Sequence, residues 1–134
     1  MRVVGRLAGA IKPKDDMKLN HLNLSVTDTK LAQAFLAKYF GMSILGKPSE
    51  HICFLTDENG MVLSLTHMSL GSESEVRYPA TFHIGFIQPT EADVDLINDR
   101  LRADGYDVPA SSRQHGAWTF YFEAPGGFTI EVLC

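Results

Sequence analysis

At 134 residues, with 45% apolar and 21% charged side chains, the chain has the size and balance of one folded domain with a substantial core. A net charge of −4 without any run of Lys or Arg argues against nucleic acid and anionic membrane surfaces as partners. No apolar stretch has the length of a membrane span or of a leader's apolar core, and Cys53 and Cys134 stand in no metal or redox spacing, so a reducing, cytoplasmic setting is expected.

Residues 1–17 read as an extension, set off by Pro13 and the charges Lys14, Asp15 and Asp16. An edge strand, a subunit-swapping arm or a disordered tail all fit it. The first module, 18–69, opens on "LNHLNLSV", where Leu22, Leu24 and Val26 alternate with His21, Asn23 and Ser25 in the period of a half-buried strand. A helix follows, with Thr27, Asp28 or Thr29 as N-cap, Leu31, Ala34, Phe35 and Tyr39 on one face, and Gly41 to end it. "HICFLTDENGMVLSLT" is then a hairpin turning at "DENG". The polar stretch 70–79, with Gly and Pro, is a linker.

The second module, 80–134, opens on the strand "TFHIGFI". Thr90 and Asp93 form a capping pair, Val94, Ile97 and Leu101 a buried stripe, and Gly105 the helix end. "WTFYFEAPGGFTIEVL" is again a hairpin, turning at "APGG". Superposing the halves puts His21 on His83, Gly41 on Gly105, Gly60 on Gly127 and Ser64 on Glu131, the pattern of a duplicated half-domain.

Period-two geometry puts His21 and His83 on the strand faces that the helices do not cover. Thr129 and Glu131 lie opposite the apolar set Phe128, Ile130 and Val132, and Thr119 and Tyr121 share a parity in the preceding strand. If the two sheets curl toward each other, two histidines and a carboxylate converge in a shared interior. Imidazoles with an ionised carboxylate hold Fe(II), Mn(II), Zn(II) or Ni(II) on one side and leave positions open. The structural alternative is a solvated Glu131 at a sheet edge, with both histidines hydrogen-bonded to the backbone.

Through "LNHLNLSV", "FHIGFI" and "FYFEAPGGFTIEV", with helix endings at "KYFGM" and "ADGYDV", the chain from about residue 18 onward resembles the vicinal oxygen chelate superfamily. That superfamily includes glyoxalase I, extradiol dioxygenases, fosfomycin-resistance thiol transferases and bleomycin-binding proteins. The resemblance implies an α+β fold of two βαβββ modules forming an incomplete, mostly antiparallel barrel around a central cavity. It implies one divalent metal, with His21, His83 and Glu131 at positions that metalloenzymes of the family use as ligands. Ser64 stands where glyoxalase I carries a fourth ligand, and Met61 where ring-cleaving dioxygenases carry a base histidine, whereas Tyr121 keeps the dioxygenase tyrosine.

The functional expectation is a metal-dependent enzyme for a small molecule with vicinal oxygens, dioxygenase-like or lyase- or isomerase-like. Tyr121 would donate a hydrogen bond or stand as a strand aromatic with its hydroxyl in water, and His115, in the loop "SSRQHGAW", would move a proton or be a solvated loop residue. The alternative is a metal-free binding or antibiotic-resistance protein of the same fold. A homodimer is expected, because a domain this small must cover its open sheet edges. One chain or two could supply the ligands. His67 is expected to point away from the cavity. Trp118 would stack on a substrate or fill the hairpin core, and Arg113 would meet an anionic substrate or solvent.

Overall fold

A computed structural model describes residues 16–134; the extension at 1–15 lies outside the described residues, with only its end at 16–17 inside. The first module runs β1 (His21–Val26), α1 (Thr29–Phe40), β2 (Ser43–Leu45), β3 (Ile52–Thr56) and β4 (Val62–His67). After a short 3-10 turn at Met68–Gly71 and the linker, the second runs β5 (Ile84–Ile87), α2 (Glu91–Ala103), β6 (Ser112–Gln114), β7 (Ala117–Ala124) and β8 (Phe128–Leu133). The sheet orders are β1-β4-β3-β2 and β5-β8-β7-β6, so the duplication read in the sequence extends to the wiring. In each sheet the first and last strands are parallel and the remaining pairs antiparallel. The fold is therefore α+β, two βαβββ modules whose sheets are not closed. The three-residue strands β2 and β6 are too short to show a period, and the strand–helix–hairpin reading of the chain does not contain them.

Local chemistry fixes the element ends. The Asp28 side chain caps α1 by accepting from Leu31 N–H at 3.0 Å, and Gly41 closes that helix at φ 66°. Thr90 caps α2 by accepting from Asp93 N–H at 3.1 Å while its hydroxyl donates to the Asp93 carboxylate at 2.7 Å. In the β3–β4 turn one Asp57 oxygen accepts from the backbones of Asn59 and Met61, both at 2.9 Å.

The buried stripe of α1 is Ala32, Gln33, Phe35, Leu36 and Tyr39, not the face through Leu31 and Ala34, which are exposed. The rotation follows from a double burden. On one side α1 packs on β3 and β4. On the other, Phe35 meets Phe122 and Tyr106, at centroid distances of 5.9 and 5.2 Å, and Phe40 stacks on Phe86 at 4.2 Å, all from the second module. The apolar faces of both sheets thus turn inward onto the helices, and one continuous core runs from Leu24 and Leu65 to Phe120 and Ile130.

The modules are locked a second time at the β7–β8 turn. Gly126 (φ 109°) accepts from Thr27 N–H at 3.1 Å, and a Cβ there would stand 3.1 Å from Ala32 and 3.3 Å from Val26. Only glycine fits that combination of positive φ and close approach.

Candidate functional site

Because the apolar faces turn inward, the polar faces turn outward. The sequence leaves open whether one chain or two supplies the ligands, and among the described residues no three His, Cys, Asp or Glu side chains gather as a metal-holding group. Helix α1 lies between the sheets, packed on β3 and β4 on one side and against Phe122 and Phe86 on the other.

On the second sheet the expected residues do meet. His83 precedes β5, and its Nε2 approaches Glu131 Oε1 to 3.4 Å. Its Nδ1 lies 2.9 Å from the Thr81 carbonyl. A carbonyl only accepts, so Nδ1 carries a proton, and Nε2 is the ring nitrogen that faces Glu131. Glu131 sits mid-strand on β8, with 12% of its side chain exposed. Its other oxygen accepts from the Thr119 hydroxyl at 2.8 Å, and that fully buried threonine also lies 2.9 Å from the Val132 carbonyl. Tyr121 pairs with Glu131 across β7 and β8, and its ring meets the His83 imidazole edge-on at 5.3 Å. Burial first, and then the Glu131 carboxylate, push the Tyr121 phenol above its ordinary value, so it remains a donor at neutral pH.

His21 stands apart, exposed at the start of β1. Its Nδ1 is held by the Asn20 side-chain oxygen at 2.7 Å, which leaves Nε2 facing outward as in His83. The same face of sheet one carries Asn23, Ser64 and Phe54 in cross-strand register. Sequence reasoning missed the link among them: the Ser64 hydroxyl donates to Asn23 Oδ1 at 2.8 Å, and Asn23 Nδ2 donates to Thr66 at 3.1 Å. Their shared parity was the available signal.

His115 occupies the tight turn between β6 and β7, at φ 52° beside Gly116 at φ 79°. It therefore sits at the opposite edge of the sheet from β5 and His83. His67 points off the polar face and caps the 3-10 turn, its ring nitrogen accepting from Ser69 N–H at 3.1 Å. Trp118 fills the helix side, donating to Asp95 at 2.9 Å, and Arg113 pairs there with Glu91 at 2.8 Å. A cleft of about 410 Å³ between the modules, lined by Leu22, Phe40, Met42, Met61 and Phe86, contains none of the expected ligands.

These features have counterparts. A family model described as the glyoxalase/bleomycin resistance protein/dioxygenase superfamily matches residues 18–132. A solved structure of a possible glyoxalase from Bacillus cereus is 47% identical, with a TM-score of 0.79 over 88% of this chain and 99% of that one. A lactoylglutathione lyase from Agrobacterium tumefaciens is 23% identical at TM-score 0.70, over 91% and 95% of the two chains. An oxidase, ChaP-H2, is 24% identical at TM-score 0.69, over 88% and 93%. The last two likenesses speak for the fold alone, and no match was found among curated proteins. With the family match spanning nearly the whole described chain, the protein belongs to the glyoxalase/bleomycin resistance protein/dioxygenase superfamily.

Proposed function

We propose that this protein is a divalent-metal-dependent enzyme acting on a small molecule with vicinal oxygens, at a site that two copies of the chain build together. His83 and Glu131 would come from one subunit and the third ligand from the partner's His21. The observation that carries this reading is the pair itself: a tautomer-fixed imidazole nitrogen 3.4 Å from a carboxylate that is itself held by Thr119. One nitrogen and one oxygen donor on adjacent strands fit Fe, Mn, Zn or Ni, and His21 presents a second, equally prepared nitrogen on an outward face. Two copies are called for because α1 keeps the two polar faces of one chain apart.

The metal would supply Lewis acidity toward the substrate oxygens. The chain's own residues do the rest. Thr119 fixes the Glu131 carboxylate, Thr81 fixes the His83 tautomer, and the Tyr121 hydroxyl donates a hydrogen bond toward the substrate. Dioxygenation and an isomerase- or lyase-type proton shift both suit this set.

The test is metal content by mass spectrometry after incubation with each metal and dialysis. Near-stoichiometric metal should be lost in His83→Ala, Glu131→Ala and His21→Ala. Mixing the His21→Ala and Glu131→Ala proteins and allowing exchange should restore about a quarter of the sites, because half of the resulting dimers carry one intact set. A wild type that refuses all four metals would overturn the enzyme reading in favour of a metal-free binding protein. Uptake lost in each variant but never restored by mixing would overturn the two-chain site.

A further inference from the structure

The face that carries His21 holds an uncharged hydrogen-bonded row, where the corresponding row of the second sheet carries Glu131. Asn23 follows His21 by two residues on the same side of β1, about 7 Å along the strand. Hydrogen bonds run in one direction through it, from Ser64 to Asn23 at 2.8 Å and from Asn23 to Thr66 at 3.1 Å. That direction uses the Ser64 proton and one Asn23 amide proton. The second Asn23 amide proton and the Thr66 hydroxyl proton remain to be donated. Phe54, in register with Ser64 and 38% exposed, supplies an apolar wall beside them.

Charge decides what such a row accepts. Among the described strands the one Lys or Arg is Arg113, and it is turned to the other side, paired with Glu91 and set over the Trp118 ring. On the polar face of sheet two the charged neighbour of Tyr121 is the exposed Glu123, a further anion. A carboxylate or phosphate placed on these faces away from the metal would lose water without meeting a Lys or Arg of the described strands.

We propose that Asn23, Ser64, Thr66 and Phe54 form the specificity subsite of the metal site and select an uncharged substrate. Its body beyond the chelating oxygens is apolar or aromatic, and it carries a neutral carbonyl-type oxygen that accepts from Asn23 and Thr66. The inference rests on the functional reading above. It adds that substrates bearing an anionic group away from the chelate are rejected.

The test uses Zn(II)-loaded full-length protein and two probes of nearly equal shape, 3,4-dihydroxyacetophenone and 3,4-dihydroxybenzoate. Calorimetric affinities are corrected for each probe's affinity for Zn(II) in solution. The neutral ketone should bind at least about tenfold more tightly than the carboxylate. Thr66→Lys should narrow or invert that ratio. Asn23→Leu, at an exposed position, should lower the ketone's affinity several-fold relative to that of unsubstituted catechol. Equal affinities, or a ratio indifferent to both substitutions, would overturn the subsite. Zn(II) uptake is read in the same preparation, so a protein that takes none fails the functional reading itself, whereas one that takes Zn(II) without discriminating fails only this inference.

Discussion

The two modules share one wiring and differ in one row of side chains. Across the first sheet the register sets Asn23 beside Ser64 and Ser64 beside Phe54; across the second it sets Gly85 beside Glu131 and Glu131 beside Tyr121. Each row is followed on one side by a histidine with its Nδ1 held, His21 or His83. Gly85 brings no side chain to the row, and the Glu131 carboxylate beside it lies 3.4 Å from His83. In the first module Asn23 fills that place and turns the row into a neutral hydrogen-bond chain. A duplicated scaffold thus carries a face with a carboxylate in its row and a face whose row is uncharged, and the difference lies in three strand positions.

A second asymmetry is energetic, and it gives the largest expected effect. Helix α1 packs on its own sheet and, through Phe35, on the aromatic side chains of the other; α2 packs on β7 and β8. Phe35→Ala should lower stability by about 3–5 kcal/mol, whereas Ile97→Ala on α2 should stay near 2 kcal/mol. Chemical denaturation followed by circular dichroism reads both. Equal losses would break the view that α1 is the shared core element.

Next in size is the support under the carboxylate. Thr119→Val keeps the volume of a fully buried side chain and removes the hydroxyl that holds Glu131. Metal affinity, measured by competition with a chelator, should fall about 10- to 100-fold. Unchanged affinity would mean that the carboxylate is oriented without that hydroxyl, and the contrast with the first module would narrow to Gly85 and Glu131.

Much of this difference was readable before any fold was known. Alternation placed His21 with Asn23, and Glu131 with Thr129, on the uncovered faces, and the repeat aligned Ser64 with Glu131. The caps at Gly41 and Thr90 followed from residue chemistry alone, and Asp28 is one of three adjacent candidates for the first N-cap. What stayed hidden depended on packing between modules. Phe40 reads as one more apolar helix residue, yet it stacks on Phe86 of the second module against the core that the two modules share. A period identifies a strand's two faces but not which neighbour each face meets. In the sequence His115 reads as a loop residue; His-Gly between two strands is also a pattern for a tight turn with positive φ, and that is the conformation it adopts.

The smallest effect tests whether the modules are also tied at their surface. Asp104, just past α2, accepts from the Tyr39 hydroxyl of α1 and lies 3.6 Å from the Lys38 ammonium. The Tyr39 hydrogen bond, ahead of the nearby Lys38 charge and against the opposing effect of burial, holds the Asp104 carboxyl below its ordinary value of 3.8. A carboxyl depressed in the folded state contributes stability above its unfolded value and loses it as pH falls through the folded one. Asp104→Asn should therefore melt slightly below wild type at pH 7, and the gap should close as the buffer is taken below the ordinary value of 3.8. Because the pair is exposed, the gap at neutral pH should be small. A gap of the same size at both ends of the series would mean that the carboxylate charge plays no part, and that the modules are joined by the Phe35 and Phe40 contacts and the Gly126 turn without it.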